Sequence, residues 1–267
     1  MTYPDKTCYP VASCNDKDFS ESDACLSGCG IFIRISIKRE EIFRQEGWNY
    51  HLEQKEGPLK YNGVVYNEMK GAFSSPDEVL EREIMNHLFP DTTYGCESGG
   101  DPKNIPDLTY ENFLNFHRTY YHPSNSYIYL YGNMDMEEKL AFLDEHYLSH
   151  FDYLDVDSVI QEQKAFGACR DVTLEYPVAE NEGEEDNTYL SYNMVVGNAA
   201  DSQMAMAFEV LDYALLSAPG APLKQALLDV KAGKDVYGSY DDGILQPYFY
   251  SNCKRFQSGQ KKKNSYL

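Results

Sequence analysis

Basic residues and long apolar runs are scarce in this sequence. It has 23 Lys and Arg against 43 Asp and Glu, which gives a formal net charge of −20. Because a strongly negative chain repels phosphates, nucleic acid is not an expected partner. No apolar run is long enough to cross a bilayer, and the first residues have no apolar signal core, so neither a membrane span nor a secretory leader is expected.

A regular cysteine framework is also missing. The seven cysteines are odd in number and irregular in spacing. Cys25 and Cys29 lie four residues apart, without a second pair at a metal-binding spacing. Reduced thiols in a cytoplasm fit this pattern better than disulfides, so a cytoplasmic location is predicted.

Disorder is excluded by what the chain does contain. Apolar residues make up 42% and aromatic residues 14% of the 267 positions. A chain of this length can bury a real core in one large domain or two ordinary ones. The negative charge would attract basic peptides, although an ordinary acidic protein is the simpler interpretation.

Helical and strand patterns follow one another along the chain and predict two units. The first unit is expected over residues 1–154, a linker over 155–170, and the start of a second unit over 171–267. Helices are predicted from Pro76 to about Phe89, and over 108–121, 136–148, 202–216 and 222–230. Strands are predicted over 50–53, 127–131, 172–176, 188–196, 236–240 and 244–249.

Three longer segments carry more specific information. Residues 63–76 read Gly-Val-Val-Tyr-Asn-Glu-Met-Lys-Gly-Ala-Phe-Ser-Ser-Pro, a β-branched run that passes into a helical stretch. Residues 91–102 read Asp-Thr-Thr-Tyr-Gly-Cys-Glu-Ser-Gly-Gly-Asp-Pro. Residues 116–125 read Phe-His-Arg-Thr-Tyr-Tyr-His-Pro-Ser-Asn.

In this order, the three segments resemble the zinc metallopeptidases of the pitrilysin/insulinase type, in particular the presequence-protease branch that includes falcilysin. The resemblance covers most of the chain. It implies an α+β fold with antiparallel sheets packed on helices, of the mitochondrial-processing-peptidase-like metallohydrolase type. The family's inverted zinc motif, His-x-x-Glu-His, occurs nowhere in the 267 residues. The fold is therefore expected to be incomplete, as in an internal fragment.

Glu68 is the one metal-ligand candidate. The resemblance implies that Glu68 is the third zinc ligand. Without the resemblance, the simplest interpretation is an ordinary solvated carboxylate on a helix. A hydrolytic zinc needs three protein ligands and an open position for water. The resemblance therefore implies zinc in the intact family member and none bound by this chain, and no catalytic residue is assigned here.

The histidines do not supply the missing ligands. His146 and His150 share a spacing with zincins, but Tyr147 stands where those enzymes have glutamate. His117 and His122 are expected to leave their helix on different sides, because Pro123 follows the second of them.

Ser98, Gly99 and Gly100 lack the lysine and the spacing of a phosphate-binding loop, so they are predicted to form a turn. The resemblance implies that this turn shapes the peptide channel. It is the only substrate-binding segment that the sequence suggests.

Two stretches depart from the family pattern. Residues 20–37 stand where the family has an amphipathic helix, and the last eighteen residues carry no apolar period. Single-base shifts of the reading frame at runs of identical bases would explain both. Natural divergence is the alternative for residues 20–37.

The resemblance implies a fragment of a zinc metalloendopeptidase that degrades unstructured peptides, inactive as this chain. A non-catalytic scaffold subunit of the same superfamily is the alternative. Peptides are the expected partners of the intact enzyme.

Overall fold

A computed structural model of the chain describes residues 1–18, 39–176, 178 and 187–256. Residues 20–37, including Cys25 and Cys29, lie outside this part, as do residues 257–267. The described residues form two compact units, and each combines two stretches of sequence. Unit 1 contains Met1–Gly71 and Ser98–Val159, and unit 2 contains Ala72–Glu97 and Ile160–Leu267.

Unit 1 is mainly helical, with one small antiparallel hairpin. Its helices and strands are α1 (Glu40–Glu46), β1 (Asn49–His51), β2 (Lys60–Asn62), α2 (Val64–Ala72), α4 (Tyr110–Tyr120) and α5 (Met136–His146). In the hairpin, Tyr50 lies directly opposite Tyr61. Thr109 caps α4, because its side chain accepts from the Asn112 N–H and the Asn112 side chain accepts from the Thr109 N–H.

The described residues of unit 1 form two apolar clusters. Phe43, Trp48 and Ile105 form the first, and the Trp48 indole donates to the Leu108 carbonyl oxygen at 2.8 Å. The second centres on Leu143 and Tyr147, and it is joined by Leu130, Phe142, Leu148 and Phe151.

Unit 2 is a three-stranded antiparallel sheet with helices. Its elements are α3 (Pro76–Leu88), β3 (Thr188–Val195), α6 (Ser202–Asp212), a π-helical turn (Tyr213–Ser217), α7 (Pro222–Asp229), β4 (Asp235–Asp241) and β5 (Tyr248–Phe256). The strand order is β3–β5–β4, so the last strand of the described chain lies in the middle.

Both faces of this sheet are covered. On one face, Tyr248 packs with Ile84, Phe89 and Tyr94 from the α3 region. On the other, Val236 and Cys253 lie opposite each other and pack with Ala232, Leu227 and Leu228. Successive side chains of a strand point to opposite faces, so β5 contributes to two cores at once.

Gln163 lies inside the segment predicted as a linker, and it is buried in unit 2. Its backbone N–H donates to Gln246 Oε1 at 2.6 Å, and its side-chain amide donates to Asp91 Oδ2 at 2.7 Å. The predicted domain boundaries themselves stay a prediction.

The α+β class with antiparallel sheets is confirmed, while three local predictions need correction. Residues 172–176 form no strand, and residues 127–131 belong to no strand in the described part of the chain. Strand β5 begins only at Tyr248 and continues to Phe256, through residues where no apolar pattern was found. The pattern fails there because both faces of β5 are covered, and polar Ser251 and Asn252 are buried.

Within the described residues, no helix has the length and apolar character that crossing a membrane requires.

Candidate functional site

The start of α2 is fixed by a close backbone approach. Gly63 has a φ of 150°, and a Cβ added to it would lie 2.2 Å from the carbonyl oxygen of Gly47. The same carbonyl accepts the Tyr66 N–H at 3.3 Å. Only glycine fits at this position, and the contact sets where the helix leaves the hairpin.

Glu68 lies on the solvent side of α2. Tyr66 and Met69 pack on the first apolar cluster of unit 1, and this fixes the rotation of the helix. Glu68 is exposed, and so are Val64 and Val65, which share its side of the helix. The carboxylate therefore stands on an open surface that is partly apolar.

The predicted channel turn lies against the same helix. A Cβ added to Gly99 would lie 2.2 Å from the Met69 sulfur, so the glycine permits close contact with the residue next to Glu68. Gly100 has a φ of 91° and lies against the Ile105 side chain. The structure thus brings Ser98–Gly99–Gly100 and the Glu68 helix together in unit 1.

The histidines lie in other parts of the structure. His117 is buried on α4 and stacks on Tyr121, with ring centroids 4.5 Å apart. His122 follows α4, and its Nδ1 accepts the Ser124 N–H at 3.2 Å. His146 ends α5, and His150 ends the next short 3₁₀ turn.

His51 lies in β1, and His87 lies in α3, where its Nδ1 donates to the Glu83 carbonyl oxygen at 2.7 Å. In the part of the chain that the structure describes, no three His, Cys, Asp or Glu side chains are grouped to hold a metal ion. One exposed carboxylate does not make a zinc site, so the residues present do not fit a complete catalytic centre.

One unusual carboxylate was not found from the sequence. Asp212 ends α6 where the π-helical turn begins, although the apolar spacing predicts a single helix over 202–216. Its carboxylate accepts the Tyr240 backbone N–H, and Oδ1 is buried without a hydrogen-bond partner. Burial raises the pKa of Asp212, and the Tyr240 hydrogen bond partly opposes this. No pattern around Asp212 signals a π-helical turn.

The comparison with protein families now identifies the class. The model described as "Peptidase M16 inactive domain" matches residues 107–258, which is more than half of the chain. The chain belongs to the M16 peptidase family, which confirms the resemblance derived from the three motif segments.

Similar proteins support the same placement. The chain is 51% identical to "Protein HypA" of Clostridium perfringens over 249 residues, which is 93% of this chain and 26% of that protein. It is 40% identical to "Presequence protease 1, chloroplastic/mitochondrial" of Arabidopsis thaliana, over 93% of this chain and 23% of that protein. It is 35% identical to "Presequence protease, mitochondrial" of Xenopus laevis, over 88% of this chain and 23% of that protein. The chain thus spans about a quarter of the length of these relatives.

Proposed function

We propose that the chain is the part of a zinc metalloendopeptidase that supplies one metal ligand, Glu68, and part of the wall of a peptide channel. In this proposal the substrates are unstructured peptides. The chain binds no zinc and cleaves no peptide by itself, because the two histidines and the general base of the inverted motif must come from another polypeptide segment.

The observation that carries the proposal is the position of Glu68 in a chain of this family. It is exposed on a helix whose inner face is fixed by Tyr66 and Met69, so its carboxylate is held on the surface. Val64 and Val65 beside it give an exposed apolar area. Apolar surface next to a ligand candidate suits the packing of another helix there.

The test supplies the missing motif. This chain is mixed or co-expressed with a segment that carries the His-x-x-Glu-His helix, dialysed, and assayed for zinc and for cleavage of a quenched fluorescent peptide. The chain alone is expected to retain no zinc and to show no cleavage. The mixture is expected to retain one zinc per complex and to cleave the peptide.

Glu68→Gln should remove zinc from the mixture and lower cleavage by at least ~100-fold, because a direct ligand matters more than an outer-shell partner. Glu145→Gln is the matched control, since Glu145 is also an exposed helix glutamate of unit 1. Tight zinc in the chain alone, or full activity of the Glu68→Gln mixture, would contradict the proposal.

A non-catalytic scaffold subunit is the second candidate. The family model that matches residues 107–258 is described as an inactive domain, and this favours the scaffold role. In that case the mixture would bind the peptide in a polarisation assay but would retain no zinc and cleave nothing.

A cytoplasmic location is part of the proposal. The cysteines of the described chain, Cys8, Cys14, Cys96, Cys169 and Cys253, are free thiols, as expected in a reducing compartment. The printed names of the Arabidopsis and Xenopus relatives place those proteins in organelles. Fractionation of the source cells, with detection of this chain, decides between the two.

A further inference from the structure

Residues 160–164 belong to the segment predicted as a linker, yet two of them are anchored in unit 2. Ile160 packs on the apolar cluster around Phe89. Gln163 and its partner Gln246 are only 7% and 8% exposed. Burying a side-chain amide is costly unless its polar atoms are hydrogen-bonded, so a flexible tether has no reason to bury one.

Both glutamine amides use their oxygen and their nitrogen. Gln163 Oε1 accepts the Asp91 backbone N–H at 2.9 Å, and Gln163 Nε2 donates to Asp91 Oδ2 at 2.7 Å. Gln246 Oε1 accepts the Gln163 backbone N–H at 2.6 Å, and Gln246 Nε2 donates to the Gln163 carbonyl oxygen at 3.2 Å. Only one orientation of each amide permits this, because an N–H cannot accept and a carboxylate or carbonyl oxygen cannot donate. We call the connected set Asp91–Gln163–Gln246 the amide latch.

The turn that carries Asp91 opens the second of the three motif segments, and it is itself held firmly. Tyr94 is buried, and its hydroxyl accepts the Leu245 N–H at 3.0 Å. A Cβ added to Gly95 would lie 2.3 Å from the Phe89 carbonyl oxygen, so glycine permits the chain to return this closely. The turn therefore offers the latch a fixed backbone N–H and a fixed carboxylate.

The amide latch joins three stretches that are far apart in the sequence. Asp91 and Gln163 are separated by 72 residues, and Gln163 and Gln246 by 83. We propose that the latch fastens residues 160–164 to unit 2 as a fixed strap, and that the turn at residues 91–94 is the socket that receives it. This part of the motif segment thus has a role in holding unit 2 together, separate from the peptide channel of the proposed function.

A strap held in this way opens together with its partners. When the latch breaks, Ile160 loses its place on the apolar cluster, and both the turn at residues 91–94 and the loop around Gln246 lose a hydrogen-bond partner. The three stretches should therefore become accessible to solvent in one cooperative step. An ordinary linker would instead exchange its amide protons independently of the turn and the loop.

Hydrogen exchange of the full chain, followed by mass spectrometry, is the first test. Gln163→Glu removes the donor that faces the Asp91 carboxylate and places a second carboxylate there. Peptides that cover the turn, the strap and the Gln246 loop should all exchange ~10-fold faster or more, because hydrogen bonds to charged groups are the stronger ones. Gln161→Glu is the matched control, since it adds the same charge at an exposed position of the same strap and should leave exchange unchanged.

A second change then tests the pairing itself. Adding Asp91→Asn to Gln163→Glu reverses donor and acceptor, because the new amide can donate to the new carboxylate. The double variant should return the exchange of all three stretches to within ~3-fold of the wild type, whereas Asp91→Asn alone should change little. If Gln163→Glu unfolds the chain, the same second change should restore folding and protection.

Three results would overturn the proposal. They are unchanged exchange in the Gln163→Glu variant, a double variant that is no better protected than Gln163→Glu alone, and an equal effect of Gln161→Glu. Faster exchange confined to the strap would also count against it, because the turn and the loop would then not depend on the latch.

Discussion

At the scale of single residues, Asp212 is a carboxylate whose charged form the structure disfavours. One carboxylate oxygen is buried without a partner, and burial raises the pKa of the group. Between its unfolded and its folded pKa, the folded state therefore binds more protons than the unfolded state. Its effect on stability is favourable below pH 3.8, the ordinary value, and is lost as the pH rises through the raised pKa.

Asp212→Asn should therefore stabilise the protein at pH 7. The amide oxygen can still accept the Tyr240 N–H, and no charge has to be buried. The difference in the free energy of unfolding between variant and wild type should become smaller as the pH is lowered toward 4, because Asp212 of the wild type is then increasingly neutral. Urea unfolding at pH 4, 5, 6 and 7 measures the difference.

Asp242→Asn is the matched control for this change. Asp242 is an exposed aspartate of the same unit, and its replacement should leave the pH dependence as it is. If both variants change the pH profile equally, the effect comes from net charge and not from the buried oxygen of Asp212.

At the scale of the secondary structure elements, the sheet of unit 2 depends on close approach at Gly238. A Cβ added there would lie 2.2 Å from the Tyr250 carbonyl oxygen and 2.8 Å from Leu216 Cδ1. Gly238→Ala should therefore destabilise the protein by about 1–3 kcal/mol, because neither the strand backbone nor the π-helical turn can yield cheaply.

Gly71→Ala is expected to stabilise the protein, whereas Gly238→Ala destabilises it. Gly71 lies in α2 with no atom within 4 Å of an added Cβ, so alanine should stabilise the helix by about 0.5–1 kcal/mol. Denaturant unfolding followed by circular dichroism measures both. A destabilised Gly71→Ala variant would show that this face of α2 is more crowded than the structure indicates.

The helices were predictable because their apolar residues repeat at a helical spacing and their ends carry clear signals. Pro76 begins α3, and the side chain of Asp201 accepts the Met204 N–H at the start of α6. Residues 250–256 of β5 were not predictable, because both faces of this strand are covered and its polar residues Ser251 and Asn252 are buried. Sequence spacing does not report partners that are distant in the chain.

The candidate site was likewise predictable only in part. The motif around Glu68 could be recognised from the sequence, and the helix was predicted with it. The contact of Gly99 with Met69 could not be, since it joins residues that only folding brings together. The role of Glu68 as a zinc ligand stays a prediction.

At the scale of the whole molecule, the chain exposes many large apolar side chains despite its charge. The described residues that are at least 60% exposed include Tyr50, Leu59, Phe116, Val159, Met206, Val210 and Tyr213, besides the three tyrosines of residues 127–131. Exposed apolar area of this extent favours association and dye binding.

The isolated chain should therefore bind the dye ANS in native buffer and precipitate on concentration, even though a charge of −20 normally favours solubility. Adding the segment with the inverted zinc motif should lower the dye fluorescence and raise the solubility of unit 1. A soluble monomer with one sharp melting transition and no dye binding would argue for a compact, self-sufficient protein instead.

The central position of β5 has a consequence for the time at which the chain can fold. Among the described residues, β3 and β4 do not pair with each other, and each pairs with β5, which follows both in the sequence. Asp77, at the start of α3, meets Lys254 of β5 at 2.7 Å across a sequence separation of 177 residues. During synthesis on the ribosome, the sheet of unit 2 therefore cannot form until β5 has emerged. Helix α3 is made first, so its apolar face stays exposed to chaperones for the longest time.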